Sequence, residues 1–300
     1  MSVLLRAPDG RELELDNCDA GYLVESVEVS APEVRAVVDP RPMADGVMDR
    51  TKYVGARAIT VTMNLMEGPS SRRALLDAIG PFLHPGQRST LTIHAHTWDS
   101  PRLYHVRADD WSAPWENTYA LAVALSFRTS SVSPFGQSPE EHSATITPSA
   151  SEDLGRDYYE SLVPAGGGVP ADTWTREYDR EYPYTGLVQV PIVNHGDVPT
   201  PWVAKVYGPI QGFTLVNTTI EEQLAFPTLV VPAGQHVLID SAAHTVLADG
   251  DPGSSRYHFL NFATATWFDL VPGPNVMRVV STTYSAPSQT VMTWRDAYMS

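Results

Sequence analysis

The sequence predicts a mainly β protein in two parts: an α+β first half with one short helix, then a two-sheet β-sandwich. Three observations lead there. Twenty-five prolines and 20 glycines in 300 residues interrupt almost every window long enough for a helix. Short runs alternate apolar and polar residues, as half-buried strands require. Only "PSSRRALLDAIGPFL" has convincing helical spacing.

The elements follow in chain order. In "AITVTMNL", Ile59, Val61, Met63 and Leu65 share one face while Thr60, Thr62 and Asn64 take the other. "YALAVALSF" repeats the pattern with Leu121, Val123, Leu125 and Phe127. Between them Leu75, Leu76 and Ile79 fall on one helical face, with Ser70 or Ser71 as the cap and Gly80-Pro81 as the stop. Residues 39–55 separate the strand signals "VRAVV" and "ARAITVT". That excursion is far longer than a hairpin turn of about 2 to 5 residues, which suggests a loop that contacts something; a mobile loop is the alternative.

Periodicity then fails. Residues 136–182 are rich in Ser, Pro, Gly and acids, with three consecutive glycines at 166–168, and read as a connector on which Tyr158, Tyr159, Trp174 and Tyr178 provide docking points. Alternation returns in "LVQVPIV", "WVAKVYG", "FTLVN", "QHVLID", "NVMRVVS" and "QTVMTW", short strands separated by turns. The expected organisation is thus a domain at 1–135, a connector at 136–182 and a sandwich at 183–300. Within "TWFDLVPGPNVMRVVS", Trp267, Phe268 and Leu270 are expected to plug a sandwich edge and Pro272-Gly273-Pro274 to force a tight reversal. Asn275 then tolerates turn geometry before Val276 opens the next strand.

Composition narrows the function. Twenty basic against 35 acidic residues give a formal charge of -15, which repels phosphate backbones and argues against stable nucleic-acid binding. Cys18 is the only cysteine, so no intrachain disulfide and no thiolate cluster can form, and a reducing compartment fits. The first residues carry no signal-peptide pattern, and no apolar run approaches the ~18 residues of a membrane span.

Candidate chemistry is sparse. His94, His96 and Asp99 in "TIHAHTWD" have spacing that lets three metal ligands converge from a strand end, although a solvated strand face explains them equally. His195, His236, His244 and His258 are scattered singly. Asp240, Asp249, Asp251 and Asp269 raise the idea of an acid and base pair across a sugar cleft, but Asp249-Gly250-Asp251-Pro252-Gly253 has turn chemistry and Asp240 ends a strand signal. Trp202, Tyr207, Tyr257, Trp267 and Phe268 suit either a sugar platform or a sandwich core. There is no Gly-x-Ser-x-Gly elbow, phosphate-binding glycine loop or His-Glu-x-x-His helix. No catalytic residue, metal or cofactor is assigned, and the chain reads as a non-enzyme.

Order and spacing of several segments carry a resemblance. They are "VVDPRPMADGVMDRTKYVGARAITVTMNL", with its Arg-rich re-entry ending in Gly-Ala-Arg, then "VPIVNHGDVPTPWVAKVYGPI", "HVLIDSAAHTVLADG", "TWFDLVPGPNVMRVV" and "VMTWRDAYM". Together they resemble the distal tail proteins, or minor tail proteins, of long non-contractile-tailed bacteriophages. The resemblance implies a split-barrel-like domain that closes into a ring, commonly of six copies, and a peripheral sandwich of galectin-like or carbohydrate-module-like topology. It also implies a virion protein, made in the host cytoplasm, that joins the tail tube to the tail tip or baseplate while DNA passes through its lumen. Implied partners are further copies of the chain, the tail tube protein, the tail-tip hub protein and the tape measure protein. The sandwich lacks the His, Asn and Arg constellation, followed by Trp and Glu, with which galectins hold sugars. A carbohydrate-binding module is the alternative function, and a β-sandwich glycoside hydrolase ranks behind it.

Overall fold

The computed structural model describes residues 1–36, 39–40, 47–48, 52–66, 69–117, 119–130, 134–149 and 188–299. Tyr158, Tyr159, Trp174 and Tyr178 lie outside them. The chain divides into two compact units, one formed by Met1–Glu141, His195–Thr200 and Arg295–Ser300, the other by His142–Asn194 and Pro201–Trp294. The backbone therefore passes between the units four times.

In the first unit β1 (Ser2–Arg6), β2 (Glu12–Glu14), β3 (Tyr22–Val29), β8 (Ala58–Leu65), β9 (Ser89–His94), β10 (Arg102–Glu116) and β11 (Leu121–Thr129) form one sheet. Their order is β2-β1-β9-β10-β11-β8-β3, antiparallel throughout. The alternation read from the sequence holds: Ile59, Val61, Met63 and Leu65 are fully buried, as are Val123, Leu125 and Phe127. Each such side chain contributes about 1.5 to 3 kcal/mol by leaving water. Met1 and Val27, which come from opposite ends of the sheet path, line the same cleft, so the sheet is strongly curled.

The helix α1 (Pro69–Ile79) covers the core with Ile79 fully buried and Leu75 and Leu76 partly so. It departs from expectation at both ends. Ser70 and Ser71 lie inside the first turn because the helix already begins at Pro69, a position where a missing N–H costs nothing. Gly80-Pro81 does not stop the chain abruptly either; residues Gly80–Leu83 continue as a 3-10 turn that buries Phe82.

Of the excursion expected as a loop, residues 41–46 and 49–51 lie outside the described residues, and strands pair on either side of them. Strand β4 (Val34–Ala36) pairs with β7 (Lys52–Val54), and β5 (Asp39–Pro40) pairs with β6 (Val47–Met48). Its prolines hide the alternation that would have signalled strands, whereas backbone pairing does not require it. Two short strands complete the unit: β12 (Gly136–Gln137) pairs with β10 on one side and with β22 (Ala297–Tyr298) on the other.

The second unit is a two-sheet sandwich. Strands β13 (His142–Ile146), β15 (Trp202–Tyr207), β18 (His236–Asp240), β19 (Thr245–Ala248) and β21 (Gln289–Trp294) form one sheet in the order β13-β21-β15-β18-β19. Strands β14 (Val190–Asn194), β16 (Ile210–Asn217), β17 (Glu222–Val231) and β20 (Gly273–Tyr284) form the other as β14-β20-β16-β17. The two inner faces meet in one core that includes Trp202, Phe213, Phe226, Leu270 and Met292. Strand β13 falls in the stretch read as connector, yet its five residues pair along β21 from His142↔Trp294 to Ile146↔Thr290.

The segment around Trp267 shows why sequence and structure part company. Phe268 and Leu270 are buried and Trp267 packs against the core, as expected of an edge plug. But β20 starts at Gly273, not at Val276, with Gly273↔Asn194 and Pro274↔Val193 in register. Pairing with β16 begins only at Met277, so Pro274 has one neighbouring strand, a setting that tolerates its missing N–H. Gly273 takes φ +89, a left-handed value suited to glycine. Asn275 does more than tolerate a turn: fully buried, it accepts from Val271 N–H and the Asn217 amide and donates to the Val271 and Gly273 carbonyls.

Candidate assembly surface

Among the described residues, the first unit leaves backbone and aromatic surface without a partner. Strand β9 accompanies β10 only as far as Ser89↔Val106, while β10 runs on to Glu116 beside β11 alone. Among the described residues, the far side of β10 from Arg107 onward is thus an open edge of the kind that accepts another strand. From Asp109 to Glu116 every side chain is exposed, including Trp111 at 49% and Trp115 at 47%. Tyr119, in the turn to β11, is 78% exposed. Trp111 also walls a cleft of about 380 Å³ with Leu76, Leu83, Val123 and Leu125.

The strand is shaped for this role. Register shifts interrupt its pairing with β11 between Ala108 and Asp110 and between Ser112 and Trp115, the latter around Pro114. A proline at the edge limits indiscriminate strand addition. The tip is fixed by Arg72 of α1, 2% exposed, whose Nη1 donates to Glu116 Oε1 at 3.1 Å and to the Asn117 carbonyl at 2.7 Å. Neither Arg72 nor the open edge is visible in the sequence, because "DDWSAPWE" has no alternation and the burial of a charge is set by tertiary contacts.

The candidate chemical residues are not assembled into a site. His94 ends β9 with its side chain exposed, and His96 Nε2 lies 2.7 Å from the Met1 amino group. Among the described residues no group of three His, Cys, Asp or Glu side chains has metal-binding geometry, so His94, His96 and Asp99 do not converge. Asp240 Oδ1 accepts from Ala242 N–H and Ala243 N–H and Asp251 Oδ1 from Gly253 N–H, both turn-stabilising, while Asp249 Oδ1 accepts from His236 N–H across the β18–β19 hairpin. Burial pushes the Asp269 carboxyl up, with His244 and a Ser241 hydrogen bond opposing, although part of that side chain remains exposed.

The single histidines have structural neighbours. His195 donates its backbone N–H to Asp296 at 3.0 Å, His236 tilts against Tyr207, and His258 against Phe259. His244, at φ 52, stacks on Trp267 at 4.7 Å, and Trp267 is nearly parallel to Tyr257. Trp202 is 1% exposed and donates its indole N–H to the Phe268 carbonyl at 3.0 Å, which makes it core.

Residues 195–298 match the family of siphovirus-type tail components, in its C-terminal domain. Over those residues the chain is similar to a siphovirus-type tail component. Its fold is that of the Dit protein of phage SPP1, described as a paradigm of the hub adsorption apparatus in phages infecting Gram-positive bacteria. That match has TM-score 0.60 at 12% identity and covers 97% of this chain and 98% of the other. Chains of the phage P2 baseplate in its activated conformation, with Ca or with Sr, align over 97% of both chains at 9% identity, with TM-scores of 0.44 and 0.45. No curated protein sequence matches the chain significantly. No helix of the described residues is long and apolar enough to cross a membrane.

Proposed function

We propose that this chain is a distal tail hub protein of a siphovirus-type tail, and that copies of it close into a ring, six in number, between the tail tube and the tail tip or baseplate. The first unit supplies the ring contacts. The observation that carries this reading is the open β10 edge with Trp111, Trp115 and Tyr119 exposed along it. A closed ring needs two different complementary surfaces on each subunit, and an added strand satisfies backbone groups that an open edge leaves to water. The fold shared along the chain with a phage hub protein supports the same role. A formal charge of -15 per copy favours a lumen along which DNA slides without being gripped.

Light scattering on purified protein together with negative-stain images tests the proposal. Annular particles of six copies are expected. A strictly monomeric species at high protein concentration, with the β10 edge protected from amide exchange, would overturn it.

A further inference from the structure

In the first unit a cleft of about 460 Å³ opens where the sheet curls on itself, walled by Met1, Val27, Val29, Ile93, Trp98 and Met299. A void of that size suits a small ligand or two to three side chains. Arg57 is the one side chain in its lining whose charge is fixed, and no Asp or Glu joins it. Arg57 belongs to the Gly-Ala-Arg re-entry of the sequence, and its backbone is held by paired bonds with Thr129: its N–H donates to Thr129 Oγ1 at 2.8 Å and its carbonyl accepts from Thr129 N–H at 2.9 Å.

The side chain is 3% exposed, and its Nε and Nη1 have no hydrogen-bond partner. Nη2 donates to the Met299 carbonyl. The nearby Tyr104 hydroxyl lies against the guanidinium without a bond of good geometry; burial raises it, and the charge of Arg57, its hydrogen-bonding contact with Arg57 and the charge of Arg102 oppose that shift. A guanidinium sequestered from water without a carboxylate is costly, and replacing a neutral carbonyl by a carboxylate roughly doubles the strength of such a bond.

We propose that this cleft receives an extended peptide of a partner protein that carries an acidic side chain between apolar ones. The carboxylate takes the place of the Met299 carbonyl on Arg57, and the apolar neighbours lie against Trp98, Val27 and Val29. Met299 is 47% exposed, and its N–H donates to Asp197 Oδ1 at 2.6 Å, so the exchange frees only its carbonyl end. Charge complementarity selects the occupant: an apolar peptide alone leaves the guanidinium unpaired, and a bare anion leaves the apolar walls wet.

The test uses the full chain labelled with 5-fluorotryptophan, with Trp98→Phe identifying the Trp98 fluorine resonance. The probes are acetyl-Leu-Glu-Leu-amide, its Gln counterpart and inorganic sulfate. The Glu peptide should shift the Trp98 resonance saturably and bind at least tenfold more tightly than the Gln peptide. Arg57→Met should erase that preference. Should Arg57→Met fail to fold, Ala95→Phe, which fills the cleft and leaves Arg57 in place, should abolish binding of both peptides. Equal binding of the two peptides, an unmoved Trp98 resonance, or sulfate binding as tightly as the Glu peptide would each overturn the proposal. The outcome is independent of whether rings form.

Discussion

Gly196 lies so close under Ala297 that a Cβ on Gly196 would stand 1.9 Å from the Ala297 carbonyl oxygen. The same carbonyl accepts from Asp197 N–H at 3.0 Å and Val198 N–H at 3.3 Å. Backbone cannot yield as a side chain end can. Gly196→Ala should therefore lift β22 from its seat and destabilise the first unit by about 2 kcal/mol or more, read as a lower urea midpoint.

Gly273 offers the contrast. A Cβ there would meet nothing within 4 Å, but the residue sits at φ +89. Gly273→Ala should cost only about 1 kcal/mol, from backbone strain alone, and the bulkier, β-branched Gly273→Val more. Equal losses for Gly196→Ala and Gly273→Ala in the same denaturation series would contradict the distinction between collision and strain.

Asn275 is the polar hub of the sandwich edge. Asn275→Leu would strand the Val271 N–H and the Asn217 amide in a dry setting, each orphan costing about 1 to 3 kcal/mol. Thermal unfolding followed by near-ultraviolet dichroism should show the sandwich transition moving down, and Asn217→Leu added to it should lose less than the sum because the two share a bond.

Trp111 and Trp115 should matter to assembly and little to folding. The double change Trp111→Ser, Trp115→Ser is expected to weaken self-association at least tenfold, or about 1.4 kcal/mol, in sedimentation equilibrium. Because both side chains are about half exposed, the monomer's unfolding free energy should move by less than about 1 kcal/mol. A large stability loss with unchanged association would assign them to the core instead.

Asp269 makes a pH prediction. Its carboxyl is raised by burial, so its contribution to stability is fully present below the ordinary carboxylate value and is lost as pH rises through the higher folded value. Asp269→Asn should leave stability at the acid end nearly unchanged and gain on the wild type as pH rises past that point, with His244 reducing the gain by its opposing charge. Urea titrations at several pH values check the crossing.

Much of the fold was legible where one rule decided it. Strands β8 and β11 bury every second residue on one face, and that period survives in the sequence. The helix was legible by its face but not by its start, since Pro69 and Ser70 are both good first-turn residues and only the backbone distinguishes them. Strands β12 and β22, two residues each, carry no period and exist because distant segments meet. The same holds for the site: Trp111 and Trp115 sit in a stretch whose side chains are exposed on both faces, and Arg57 and Arg72 gain their meaning from burial that no local pattern encodes. The scattered histidines and aspartates drew notice for their chemistry, whereas turns and ring contacts account for their positions.

The fourfold passage of the backbone between the two units carries a mechanical consequence. A pull applied to one unit against the other is shared by four covalent links in parallel, so no single peptide segment serves as a hinge pin. A stop codon placed after Trp294 would remove β22 from the first unit even though the sandwich strands remain encoded, and a graft of a foreign sandwich would need splices at every link to keep β12 and β22 together.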